Sequence, residues 1–126
     1  MKTLILTLTF LNIIFFLMHE FDACYQEEWK MFIFLKHFPE KTQYQIFLWF
    51  HFPLCAFLLY YFGTVLSFSY FRLWILMNVF GVLHLIIHLI AVRWRSNVFT
   101  TFSSFAFIVG AALTGILNLI LFPYYL

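Results

Sequence analysis

The sequence predicts an all-α membrane protein: a four-helix transmembrane bundle with a short interfacial helix between its first and second helices. Three observations predict it. The 126 residues are 65% hydrophobic and 10% charged, with a mean hydropathy of +0.97, whereas a soluble domain is about half apolar and a quarter charged. Four separate runs are each long enough to cross a bilayer, which takes about 20 apolar residues at about 1.5 Å per residue. Most of the charge lies in one stretch between the first two runs.

A chain this short buries only around two-thirds of its surface on folding, so such an apolar excess could not be hidden from water. That excludes a soluble globular domain, a disordered tail and a nucleic-acid binder. The formal charge of +2 is too small to imply a polyanionic partner. The lipid bilayer is the partner the composition demands. Cys24 and Cys55 fall in no CxxC or zinc-ribbon spacing, so neither a disulfide scaffold nor a thiol oxidoreductase is expected.

The first span covers residues 3–21, interrupted only by Asn12 until His19 and Glu20. The second covers 46–66, the third 73–92 and the fourth 98–122, all within a single membrane domain over residues 1–126. In the long connection, Glu27 to Lys36 reads as the interfacial helix, with Trp29 at headgroup depth. Pro39 ends it, because the residue before a proline avoids helical geometry. Ser67 to Arg72 joins spans two and three, and Arg93 to Asn97 joins three and four. Met1-Lys2 and the apolar run after it have the outline of a signal peptide, but Asp22 fits a cleavage site poorly. An uncleaved first helix is the expectation.

Orientation follows from lysine and arginine placement. One face carries Lys2 and Arg72; the other carries Lys30, Lys36, Lys41, Arg93 and Arg95. The bias puts the second face in the cytoplasm and both termini outside, in the cell membrane (the inner membrane, were the source a bacterium). On that topology all five acids and all five histidines gather toward the cytoplasmic side. At about 1.5 Å per residue, His51 is expected roughly 8 Å below that surface, His88 roughly 6 Å and His84 roughly 12 Å. His19 closes the first span, and His37 falls in the charged connection, where solvation is its expected state.

Helical periodicity groups these residues further. Thr9, Asn12, His19 and Asp22 make one stripe; Asn78, Gly81, His84 and His88 make another; His51 and Cys55 are one turn apart. The fourth span offers a small and polar face from Thr100 to Asn118, suited to close packing. Pro53 either frees the backbone around Trp49, which would turn His51 inward, or is only a proline of the span's N-terminal part. Trp29, Trp49, Trp74 and Trp94 sit near span ends and read as interfacial anchors. Cys55 reads as a small buried hydrophobe.

The pair His84-x-x-x-His88 puts two imidazoles one turn apart, where both can bind a single ion. Zinc or iron needs one or two further nitrogen or oxygen ligands. His51 and His19 are available at that level, and Glu20 and Asp22 offer a carboxylate that, left unliganded, could serve as general base. The predicted metal set is therefore His19, His51, His84 and His88, with Glu20 and Asp22 as catalytic candidates. The alternative is structural: interfacial histidines can bond one another, serine and asparagine and merely hold helices together. Ionisable groups within a span are costly, which argues for a function.

The segments His19-Glu20-Phe21-Asp22-Ala23, Glu28-Trp29, His51-Phe52-Pro53-Leu54 and His84-Leu85-Ile86-Ile87-His88 resemble a family of small bacterial multi-pass membrane proteins of unknown function. The outline is similar to the family named for its His-x-x-Glu-Glu motif, although Asp22 stands where that motif has a glutamate pair. The resemblance implies four spans and a shared polar site, and brings no activity with it.

Three functions compete. One is a metal site at the cytoplasmic mouth, possessing zinc or iron and activating water against a lipid-like substrate from the bilayer. A second is a non-catalytic accessory subunit, a homo-oligomer or a membrane partner, whose polar cluster only specifies helix packing. The third is a proton or ion path, opposed by the far halves of spans two and three, which carry Asn78 and hydroxyls but no charged relay. A haem is disfavoured, because imidazoles one turn apart cannot grip it from both sides.

Overall fold

The computed structural model describes residues 2–66, 71–94 and 97–124. The connection at 67–70, and Arg95 and Ser96 of the next one, lie outside the described residues. Four α-helices appear in order: α1 (Lys2–Tyr25), α2 (Glu40–Leu66), α3 (Phe71–Ala91) and α4 (Phe102–Leu121). All four are long and apolar enough to cross a membrane, which sets the chain in a lipid bilayer as a multi-pass protein. Their outward faces are rich in exposed leucine, isoleucine and phenylalanine, as lipid contact requires.

The helix ends follow local chemistry. Pro39 opens α2 rather than closing what precedes it, its carbonyl accepting from Thr42 N at 2.8 Å and Gln43 N at 3.0 Å. A proline suits a helix start because its missing N–H would have no partner there. Residues 98–101 lie outside α4, which begins only at Phe102. The Thr101 hydroxyl caps it by accepting from Ser104 N at 3.2 Å.

The expected interfacial helix over 27–36 is instead two short 3-10 turns, Glu28–Met31 and Ile33–Leu35. Glu27 adopts a left-handed conformation with φ 59°, and Phe32 is extended, so no helical ladder can run through either. The break lets Trp29, Met31 and Leu35 all bury, which no single helix face would allow at that spacing. Trp29 is therefore not a headgroup anchor: it packs on Tyr44 and Phe47, with ring centroids 5.0 and 5.5 Å away. Trp74 is likewise internal, donating to Thr9 Oγ1 at 2.9 Å. Trp94 is exposed just beyond the end of α3, as an anchor would be, while Trp49 is exposed but lies more than two turns inside α2.

The bundle is asymmetric. The backbone of α4 comes close to both α1 and α3, while α2 stands off and touches them mainly through long side chains. Small residues explain the close contacts. A methyl group on Gly115 would meet the Asn78 carbonyl oxygen at 2.7 Å, and one on Gly81 would meet the Ala111 oxygen at 3.1 Å. Helices in lipid associate by such packing, because tails are as apolar as leucine.

A buried polar lattice ties the same three helices together. Asn12 Nδ2 donates to the Ala111 carbonyl at 2.7 Å and to Thr114 Oγ1 at 3.0 Å. Asn118 Nδ2 donates to Asn78 Oδ1 at 2.9 Å and to Thr9 Oγ1 at 3.3 Å. These groups occupy the half of the bundle that holds the N-terminus of α1. The predicted stripes on α1, α3 and α4 are thus the faces that meet.

Candidate metal centre and the cavity beside it

At the opposite end, His19 of α1 and His84 and His88 of α3 converge. Their ligand nitrogens all lie within 4.8 Å of one another. The ring centroids are separated by 4.7 Å for His19–His84, 5.0 Å for His19–His88 and 4.6 Å for His84–His88. His84 and His88 meet because residues four apart share a helix face. His19 meets them because α4 draws α1 and α3 onto its two flanks.

Nε2 of His84 and Nε2 of His88 are 3.1 Å apart. Two nitrogens about 2.0–2.1 Å from one tetrahedral zinc ion would stand about 3.3 Å apart, so this pair is spaced for shared ligation. His19 and His88 are buried, and their Nδ1 atoms have no hydrogen-bond partner among the described residues. Buried imidazole nitrogens are ordinarily satisfied. Phe99, entering from the stretch before α4, covers the cluster, with its ring 5.3 Å from His19 and 4.6 Å from His88.

A cavity of about 290 Å³ adjoins the triad. Its polar lining is His19, Glu20, Glu28, His51 and His84. The connection between α1 and α2 roofs it with Phe32, Phe34 and Leu35. Glu20 Oε2 meets His51 Nε2 at 2.8 Å, and His51 Nδ1 lies 2.7 Å from the Phe47 carbonyl, to which it donates. His51 lines the same cavity as His19 and His84.

The roof has its own electrostatics. Burial, and secondarily the neighbouring Glu20 carboxylate, raise the Glu28 carboxyl to about 7. Lys30 bridges Glu27 and Glu40, the latter at 2.7 Å, clasping the roof to the start of α2. Those hydrogen bonds raise the pKa of the Lys30 ammonium.

The structure therefore brings together three of the four predicted metal ligands, His19, His84 and His88, and sets His51 with Glu20 instead. Glu20 lines the cavity, but Asp22 does not. Asp22 accepts from the Ser104 hydroxyl and, at 3.4 Å, from Gln26 Nε2, which pins α1 to the first turn of α4. His37 is exposed, as expected, while Cys55 is exposed rather than buried. Two contributors lay outside the predicted set. Glu28, which the sequence offers either as part of a solvated acidic face or as an acid folding back over the site, lines the cavity, while Phe99 carried no signal.

A helical membrane bundle with a buried three-histidine cluster at one end is the class defined by this fold and site. The chain belongs to a family of unknown function (DUF6713), which matches residues 5–125. No curated protein and no solved structure matches it.

Proposed function

We propose that this protein binds a divalent transition metal, zinc or iron, through His19, His84 and His88, and uses it to activate water against a lipid-like substrate from the bilayer. The observation that carries the reading is the convergence of three imidazoles whose ligand nitrogens all lie within 4.8 Å of one another. Three neutral imidazoles leave a fourth position for water, whose pKa a metal lowers toward neutrality. Glu20, facing the adjoining cavity, is the carboxylate for general-base work; His51 orients it, and Asp22 anchors α1 beside it. The excess of Lys30, Lys36, Lys41, Arg93 and Arg95 at this end supports a cytoplasmic mouth, with both termini outside.

Elemental analysis of detergent-purified protein tests the reading. The expected result is stoichiometric zinc or iron, lost in the His84→Ala, His88→Ala double variant while helix content persists. Metal at background after incubation with excess zinc or iron would overturn it, as would equal metal in the variant.

One contact favours a second reading. The 3.1 Å approach of His84 to His88 is also a hydrogen-bond distance, as in an accessory subunit whose polar cluster specifies helix packing or a membrane partner. That reading expects the same double variant to lose thermal stability or co-purification with no change in metal content.

A further inference from the structure

The cavity at the triad does not end at the triad. A second cavity of about 280 Å³ lies between α1, α2 and α3, lined by Phe16, Phe57, Leu58, Leu76, Met77 and Phe80. Glu20 and Leu54 line it as well, and both also line the first cavity, so the two meet at these side chains. Each alone is at the small end of ligand pockets, which run from about 300 to 1,000 Å³; joined, they fall within that range. The stand-off of α2 leaves this space, and the exposed Leu76 and partly exposed Phe57 and Phe80 put its far end against lipid.

The two parts differ in chemistry. The inner part is aliphatic and aromatic apart from Glu20. The part beneath the roof offers two carboxyl groups, Glu20 and Glu28, and among the described residues no lysine or arginine lines it. Glu28 has no salt-bridge partner among the described residues. An anionic headgroup would meet like charge there, whereas a hydroxyl or ammonium would find acceptors.

We infer that the joined cavities bind a single-chain amphiphile with a non-anionic, hydrogen-bond-donating head, a long-chain alcohol or amine, whose chain enters from the bilayer between α2 and α3. The head lies against Glu20 and Glu28 beside the triad, and the chain runs past Leu54 along Phe57, Leu76 and Phe80. This names the substrate class for the proposed metal centre and rests on that reading only for what happens to the head after binding.

The test is photo-crosslinking in phosphatidylcholine nanodiscs, with diazirine-bearing long-chain amine, alcohol and carboxylate probes. It is run on chelator-treated and zinc-loaded protein. The amine and alcohol probes are expected to label peptides holding Leu54, Phe57, Leu76 and Phe80, at least fivefold above the carboxylate probe. Leu76→Trp, a change at an exposed position, should cut that labelling at least fivefold. Ile120→Trp, an equally exposed change on the far side of the bundle, should leave it intact. Labelling spread evenly over all four helices, or unchanged by Leu76→Trp, would overturn the inference. So would carboxylate labelling equal to that of the amine and alcohol on chelator-treated protein, where no metal draws the carboxylate in. Labelling of metal-free protein upholds the channel even if the metal centre fails its own test. Saturating zinc with no channel labelling upholds the centre and sinks the channel.

Discussion

Glu20 on α1 and His51 on α2 meet at 2.8 Å, an acid–base contact between the helix that carries the first histidine of the triad and the helix that stands off from the bundle. Both side chains are mostly buried, each partly open to the cavity they line. Replacing one alone, as in Glu20→Ala, strands the other and should cost on the order of 3 kcal/mol of stability. Replacing both with apolar residues of similar size should restore most of that loss. Unfolding of the single and double variants in mixed micelles gives the coupling; additive losses would show that the contact holds nothing.

Glu28 makes the roof sensitive to pH. Its carboxyl is raised to about 7, so the folded form holds a proton that the unfolded chain releases at lower pH. Between the unfolded and folded values the folded state binds more protons, and stability falls as pH rises through that window, levelling off above about 7. Glu28→Gln should abolish the slope and tighten the roof at pH 8 by about 2 kcal/mol, less than the full shift because the group is partly exposed. Amide hydrogen exchange across residues 28–35 at pH 5 and pH 8 measures it. A wild-type roof more protected at pH 8 would contradict the sign.

Two glycines should respond in opposite ways. A Cβ at Gly115 would press on the Asn78 carbonyl oxygen at 2.7 Å, a backbone atom that cannot swing aside. Gly115→Ala should therefore destabilise by about 1–3 kcal/mol. A Cβ at Gly63 of α2 meets nothing within 4 Å, so Gly63→Ala should be neutral or add about 0.5–1 kcal/mol through helix propensity. Thermal unfolding in detergent ranks the two.

The lattice in the other half of the bundle predicts a modest effect. Asn12→Leu removes the bonds to Ala111 and Thr114, and hydrogen bonds between membrane helices average about 0.6 kcal/mol with a maximum near 1.7. The loss should be about 1 kcal/mol, with no change in metal content at the distant triad.

How far the sequence revealed this arrangement depends on what its periodicity encodes. Run length and hydropathy set the spans, and the four-residue step from His84 to His88 set two ligands on one face. Direction around the bundle was not legible. His51 lies at a suitable level, but α2 stands away from the triad, so the ring turns to Glu20 instead. Asp22, three residues beyond His19, points instead to Ser104 on α4. The roof was the least legible part. Its residues follow no repeat, and the left-handed Glu27 that breaks it is a conformation that glutamate rarely takes.

The asparagine and threonine lattice has a consequence for polarity. Asn12, Asn78, Asn118 and Thr9 fill the interior of one half of the bundle with neutral amides and a hydroxyl. The carboxyl groups that share a cavity with the triad, Glu20 and Glu28, stand at the other end, so the polar character of the interior changes from neutral to acidic along the bundle.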